Sequence, residues 1–233
     1  AAPDPNVIVA RPATAYPVEF VVRGHITGSL WRDYSAGKDP YALALPPGLK
    51  KDDALPGGPT LTPSTKAELG AHDEPVSRAE VLRRGLMTPG ELDEAEALAL
   101  ALFRRGREVA AARGLILVDT KYELGRDAEG KLMVIDEIHT PDSSRYWIAE
   151  GSAERHARGE PQRMLDKENL REWLMNERGF SGHGTPPALD DDIRVRLAVF
   201  YAELYARLLG RPFVPTVGPV LPRVEAAVAA LRT

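Results

Sequence analysis

Apolar residues in this chain follow two rhythms, and each predicts its own elements. Val18–Arg23 and Leu115–Val118 are aliphatic, largely β-branched runs with strand character, the first preceded by Pro17 and closed by Gly24. Val7–Ala10 reads as another short strand, and Leu132–Ile135 as a partner for Leu115–Val118 across a turn in Gly125–Gly130. Helical spacing begins at Ser77-Arg-Ala-Glu80, which has capping-box form and opens a short helix. Thr88-Pro-Gly-Glu91 repeats the signal with Pro89 in the first helical position. The helix it predicts carries Leu92, Ala95, Ala99, Leu102, Phe103 and Val109 and stops at Gly114. Asp166 reads as the N-cap of a helix through Arg178 whose Leu170, Trp173 and Leu174 face inward. A long helix follows over Asp191–Leu209, with Ile193, Leu197, Tyr201, Leu204, Tyr205 and Leu208 on one stripe and Gly210 at its end. A Pro-rich tail and a short Ala-rich helix finish the chain. From Tyr34 to Pro75 periodicity is lost among Pro, Gly, Lys and Asp; a loop of that length inside a domain is usually functional or disordered. No internal repeat is visible.

The hairpin formed by the last two strands concentrates charge. If its turn centres near Ala128–Glu129, Lys121 lies opposite Asp136 and Glu123 opposite Val134, so Lys121, Glu123 and Asp136 share one face. Diagonal neighbours on such a pair lie about 7–8 Å apart, a span that one metal ion bridges. A one-residue slip of register would undo the arrangement. Two carboxylates with a lysine beside them suit Mg2+ and phosphate oxygens, since magnesium takes one or two carboxylates and completes its shell with phosphates and water. The plainer reading is an exposed hairpin with a Lys121 salt bridge.

Composition narrows the classes. The chain has 233 residues, 43% hydrophobic and 27% charged, which is ordinary for a globular protein. Its net charge of −4 argues against a nucleic-acid partner. With no cysteine, disulfides, thiolate metal sites and cysteine nucleophiles are excluded. No apolar run reaches the roughly 20 residues of a membrane span, and no signal peptide is visible, so the cytoplasm is the expected compartment. The opening Ala1-Ala-Pro-Asp-Pro has no initiator Met, and residues are expected to be missing upstream.

Three further segments carry candidate chemistry. Thr140-Pro-Asp-Ser-Ser-Arg145 combines an acid, two hydroxyls and a guanidinium that can bind a polar ligand, although Pro-Asp-Ser is also turn chemistry. Arg23-Gly-His-Ile-Thr-Gly-Ser29 can cradle phosphate through backbone N–H groups, but it is neither a P-loop nor a dinucleotide fingerprint. Lys167 and Arg171, four apart on a helix, can share one phosphate or form a solvated basic face. The five histidines, His25, His72, His139, His156 and His183, show no metal-ligand spacing. Asp190-Asp-Asp192 reads as helix capping, and Trp31, Trp147 and Trp173 as packing residues.

Taken together, these segments resemble the SAICAR synthetase family, in its yeast-type, long-loop branch. The resemblance is carried by Val18–Ser29, Thr62-Pro-Ser-Thr-Lys-Ala-Glu68 with His72-Asp-Glu74, Val118–Gly125, Asp136–Trp147 and Asp166-Lys-Glu-Asn-Leu-Arg-Glu-Trp-Leu174, in the family's order. It implies an α+β enzyme with a kinase-like or ATP-grasp-like nucleotide site. ATP would phosphorylate the carboxylate of carboxyaminoimidazole ribotide (CAIR), and the amine of L-aspartate would displace phosphate to form SAICAR. By that resemblance Glu123 and Asp136 hold Mg2+ with the ATP phosphates, and Lys121 neutralises charge beside them; Lys121, Asp136 and Asp142 form the catalytic set. Arg23 and Ser29 match the loop at the ribotide and aspartate, Asp142 and Arg145 contact the imidazole ribotide with Ser143 and Ser144 as donors, and Lys167 and Arg171 receive its phosphate. Lys66 and Asp73 fall in a segment expected to close over the substrates. The family's small N-terminal lobe, with its Gly-rich loop and lysine, has no match here. Residues 1–15 then read as a connection from that lobe, and 16–233 as the large domain with 34–75 its long functional loop. The resemblance leaves room for a homo-oligomer. The rival readings are another carboxylate-activating kinase or ligase on the same scaffold, and a non-catalytic ribotide-binding module.

Overall fold

Val18, Phe20 and Val22 alternate with Glu19, Val21 and Arg23, so the first strand has one apolar and one mostly charged face; a computed structural model shows where each face points. The structure describes residues 3–66, 73–165, 168–180, 182 and 184–231. Strand β1 (Thr14–Arg23) pairs antiparallel with β4 (Leu115–Arg126), setting Glu19 opposite Glu123, Val21 opposite Lys121 and Arg23 opposite Asp119. Two short strands, β2 (Thr60–Leu61) and β3 (Ser64–Thr65), pair with β1. On the other side β5 (Leu132–Val134) and β6 (Ser144–Ile148) both pair with β4, at different stretches of its length. Every ladder of this six-stranded sheet is antiparallel, which leaves one face for a core and the other for chemistry.

The core face is covered by a long helix. Counting α1 (Gly28–Ser35) and α2 (Arg78–Arg83) first, this is α3 (Pro89–Ala111). Thr88 closes a full capping box, accepting from the Glu91 N–H while the Glu91 carboxylate accepts from the Thr88 N–H, and Pro89 follows as expected. Leu92, Ala95, Ala99, Phe103, Gly106 and Ala110 are its buried stripe, packed with Phe20, Val22, Leu117, Tyr122 and Leu124. Full burial of a Leu or Phe contributes about 1.5–3 kcal/mol, so this contact dominates the stability of the domain. Pro17, which has no N–H to give, sits in a register shift of β1 between Ala15 and Glu19. Gly125 has to be glycine: a Cβ there would lie 2.5 Å from the Thr14 carbonyl oxygen.

Helices α4 (Ser152–Arg158), α5 (Glu168–Arg178), α6 (Asp191–Leu209) and α7 (Val220–Ala230) complete the chain. The boundaries of α6 match the sequence reading, with Asp190 accepting from the Ile193 N–H as its cap. Its inward stripe holds Ile193, Leu204 and Leu208 as expected, but Phe200 packs toward the core and Tyr201 is exposed. Trp173 is buried on α5, under the Arg178 guanidinium at 4.6 Å. The Asp166 cap lies outside the described residues. Among those described, no helix is long and apolar enough to cross a membrane.

Several expectations are corrected. Val7–Ala10 is no strand; only Val7 makes an isolated bridge, to Asp4, because no neighbouring strand lies alongside to complete a ladder. The hairpin register differs by one residue, with Leu124 opposite Val134 and Gly125 opposite Met133. The slip does not scatter the charged residues, because β5 ends at Val134 and the chain leaves the ladder before Asp136. Residues 34–75 are built, as far as described, around a second small core of Ile26, Leu30, Tyr41 and Leu55, with Trp31 and Tyr34 against it. The Tyr34 hydroxyl fastens that segment, donating to the Pro46 carbonyl at 2.8 Å and accepting from the Leu49 N–H at 3.1 Å.

Two histidines are tucked into this architecture. His25 lies against Trp147 with ring centroids 4.9 Å apart, and burial, aided by Arg107, pushes its pKa below the ordinary 6.5. Burial does the same to His139. Both bind a proton more readily when unfolded, so stability is full above about pH 6.5 and declines as pH falls through the window beneath it. The melting temperature is expected to drop on going from about pH 7.5 to about pH 5.5, and to drop less in a His25→Asn/His139→Asn double variant. Equal falls in both proteins would contradict this.

Candidate active site

The face of β1 and β4 away from α3 floors a cavity of about 840 Å³. What aims the chemistry into it is a one-residue shift in β4. Leu115 and Leu117 face the core, Val118 is an extra residue against β6, and from there Asp119 and Lys121 face the cavity while Tyr122 turns inward. Bulges re-aim side chains in this way. Opposite, Val21 and Arg23 of β1 and Arg145 of β6 complete the floor. The walls come from the start of α1 (Ser29, Arg32), the loop between β5 and β6 (Asp136, Glu137, Asp142, Ser143), Asp73, and Arg171 of α5.

One end of the cavity is built on Asp119. Its Oδ2 accepts from Arg23 Nη1 at 3.2 Å and from Arg145 Nη1 at 2.5 Å, and all three side chains are nearly buried. Arg23 is held further by Thr62 Oγ1, which accepts from Nε at 2.9 Å, and by Ser29 Oγ, which accepts from Nη2 at 3.0 Å. One carboxylate thus holds two guanidiniums side by side, donors of the kind that bind anionic groups. Gly28 makes this possible: with φ +57° and a hypothetical Cβ 2.7 Å from Arg145 Nη2, a side chain there would displace the guanidinium.

The other end is built on Lys121. Its ammonium donates to Glu123 Oε1 at 2.8 Å and Glu19 Oε1 at 3.1 Å, and lies 3.9 Å from Asp136 Oδ2. Burial opposes the charge, but the bonds to Glu123 and Glu19 more than offset it and hold the Lys121 pKa above its ordinary value. Burial likewise pushes Glu123 up, yet the bonds from Lys121 and Lys66 leave its pKa below the ordinary 4.5. Both groups therefore remain charged at neutral pH. The donor set fits a magnesium ion held partly by phosphate: carboxylates converge on one cationic position, while among the described residues no group of three or more acids and histidines forms a closed metal cage.

The structure thus gathers Arg23, Ser29, Asp73, Lys121, Asp136, Asp142, Ser143, Ser144, Arg145 and Arg171 around one cavity. Glu123 and Lys66 pair with each other beside it, joined to it through Lys121. Lys167 lies outside the described residues. The two serines do more for the wall than for its opening. Ser144 Oγ is 2.8 Å from Thr120 Oγ1, and Ser143 Oγ accepts from the Thr140 N–H at 3.1 Å, so the turn reading of Thr140–Ser143 holds as well. Asp119, Glu19, Arg32 and Glu137 were not singled out from the sequence. Glu19 and Arg23 stand out afterwards as charges inside an apolar strand, and Asp119 as the first of three alternating charges.

A cavity with guanidiniums at one end and carboxylates about an ammonium at the other, on one face of an antiparallel sheet with helices against the opposite face, marks an α+β protein with a polar pocket. The chain is a member of the SAICAR synthetase family, whose sequence model matches residues 1–185. A phosphoribosylaminoimidazole-succinocarboxamide synthase of Bacteroides thetaiotaomicron is 47% identical over 217 residues, covering 92% of this chain and 68% of its own length. A solved SAICAR synthase from Saccharomyces cerevisiae, complexed with SAICAR, superposes with a TM-score of 0.70 at 33% identity, covering 88% of this chain and 64% of that one. A SAICAR synthetase in complex with ADP superposes at 0.60 and 25% identity, over 88% of this chain and 67% of that one. The chain therefore spans about two thirds of the length of these relatives.

Replacing Asp119 by Asn removes the charge that the nearly buried Arg23 and Arg145 guanidiniums share. Losing one partner of a buried pair costs about 3–5 kcal/mol, and a loss of roughly 10 °C in melting temperature is expected. A melting temperature within about 2 °C of the parent would show that the guanidiniums are already solvated.

Proposed function

We propose that this cavity is the ribotide and metal site of an ATP-dependent ligase that joins L-aspartate to CAIR, giving SAICAR, ADP and phosphate. The observation that carries the reading is that residues from β1, α1, β4, β6, α5 and the β5–β6 loop, distant in sequence and matching the family's segments, meet around one cavity. The relatives complexed with SAICAR and with ADP support the same ligands here.

The chemistry has a definite order. A carboxylate resists an amine nucleophile, so the CAIR carboxylate is first phosphorylated by ATP; the aspartate amine then attacks the acyl carbon, and phosphate leaves. Arg23 and Arg145, fixed by Asp119, face the ribotide, with Asp142 beside them on the cavity wall. Arg171, together with Lys167, receives its phosphate. Glu123 and Asp136 hold magnesium with the ATP phosphates, in a nucleotide site of kinase-like or ATP-grasp-like type. When bound, magnesium would supply positive charge to the ATP phosphate oxygens as the phosphoryl group moves to the CAIR carboxylate. Lys121 adds a fixed positive charge that Glu19 and Glu123 hold in place, so it needs no reorientation as charge shifts. The protein acts in the cytoplasm.

Asp136→Asn in the whole enzyme is expected to abolish ligation, by about 100-fold or more, while leaving the fold intact; near-normal turnover would remove the metal role. The direct test of the site is calorimetry, with CAIR titrated into this chain in the presence of magnesium and the absence of ATP. Saturable binding that weakens by about tenfold or more in Arg171→Ala is the expected result. No binding by the folded chain would overturn the placement of the ribotide.

A further inference from the structure

Residues 135–143 run between β5 and β6 and carry Asp136, Glu137, Asp142 and Ser143 to the cavity. The loop closes a gap along the edge of β4. Ile135 N–H donates to the Glu123 carbonyl at 3.0 Å at one end, and Lys121 N–H donates to the Ser143 carbonyl at 2.9 Å at the other. Midway, at His139, the backbone turns into the left-handed region, φ +59°, where a residue with a Cβ is strained. The imidazole passes through the gap to the opposite, core face of the sheet. There its Nε2 lies 2.7 Å from the Tyr122 hydroxyl, the two rings meet edge-on at 5.6 Å, and the Tyr146 hydroxyl donates to the His139 carbonyl at 2.9 Å.

Helix α3 is cut to receive that ring. Gly106 stands in its interior, where glycine lowers helix stability, and a Cβ at that position would lie 2.5 Å from His139 Cε1 and 2.7 Å from Nε2, closer than to its other near neighbour, Leu117 Cδ2 at 2.8 Å. A strained histidine and a mid-helix glycine are two unfavourable local choices, and one contact explains both. We infer that His139 is a positioning residue, the buckle that fastens the loop bearing Asp136 and Asp142 to the hydrophobic core and so fixes those acids at the cavity. The role belongs to the ligase site proposed above, although the buckle itself can be measured without any ligand.

His139→Gly relieves the strained backbone and removes only the buckle. If His139 merely forms a turn, glycine serves as well or better. For a buckle, amide hydrogen exchange over 135–143 is expected to quicken about tenfold or more, with the rest of the sheet unchanged and CAIR affinity falling by a similar factor. Gly106→Ala, which keeps His139 but crowds its ring, is expected to give the same loop-confined loosening. Added to His139→Gly it should loosen the loop no further, because the ring it crowds is gone and the remaining close neighbour, Leu117 Cδ2 at 2.8 Å, belongs to β4 and not to the loop. Wild-type exchange and affinity in His139→Gly would overturn the inference, as would losses in the two variants that simply multiply. If His139→Gly does not fold, Tyr122→Phe replaces it: faster exchange confined to 135–143 supports the buckle, and unchanged exchange refutes it. Failure of the parent chain to bind CAIR defeats the ribotide reading alone, since exchange is measured on the ligand-free protein.

Discussion

Side chains two apart in a strand share a face, so Leu115, Leu117, Asp119, Lys121 and Glu123 would all point into the core if β4 were regular. Three buried charges under α3 would be prohibitive. The extra residue at Val118, whose carbonyl accepts from the Gly24 N–H at 2.8 Å, removes the conflict by reversing the alternation between Leu117 and Asp119. Beyond it Tyr122 and Leu124 take over the core positions and the charges turn to the opposite face. The register of β1 then sets Arg23 across from Asp119 and Glu19 across from Glu123. Core and site are thus the two faces of one pair of strands, divided by a single bulge.

The same pairing sorts the charges. At one end two guanidiniums share a carboxylate; at the other, Glu19, Glu123 and Asp136 lie about Lys121, with Lys66 on Glu123. The first end is built from guanidiniums about a carboxylate and the second from carboxylates about an ammonium. On the function proposed above, an anionic substrate at one end and a phosphate-bound cation at the other would be the division of labour that carboxylate activation requires. Because these groups hold one another before any ligand arrives, little reorganisation is left for the reaction itself.

Rigidity is uneven across the site. The floor belongs to the two longest strands, whereas Asp136 and Asp142 ride on a loop that leaves the sheet. Such a loop is accurate only if something stiff holds its middle, and the core-facing ring of His139 against Tyr122 and Gly106 does this. That link also explains why the hairpin register, one residue away from the expected one, did not disperse the acids. Asp136 is positioned by the loop and its anchor rather than by a ladder partner.

The sequence by itself determined what depends on local physics. The capping box at Thr88, the buried stripe of α3, the bounds of α6 with Asp190 as cap, and the family's charged segments could all be read from spacing and residue type, because each is decided within a few residues. The long-range contacts were decided only by the tertiary structure. Helix α1 was hidden in a Gly-bearing segment, since its stability comes from packing Leu30 with Ile26 into a second core whose other members, Tyr41 and Leu55, lie well beyond the helix. Asp119 reads as one more exposed charge until β1 and β6 bring Arg23 and Arg145 to it from opposite sides. His139 reads as an isolated histidine until Gly106, thirty-three positions earlier, is seen to leave room for its ring. A bulge, a shared carboxylate and a cleared space on a helix are properties of strands and helices brought together, and period and propensity along one strand carry no term for them.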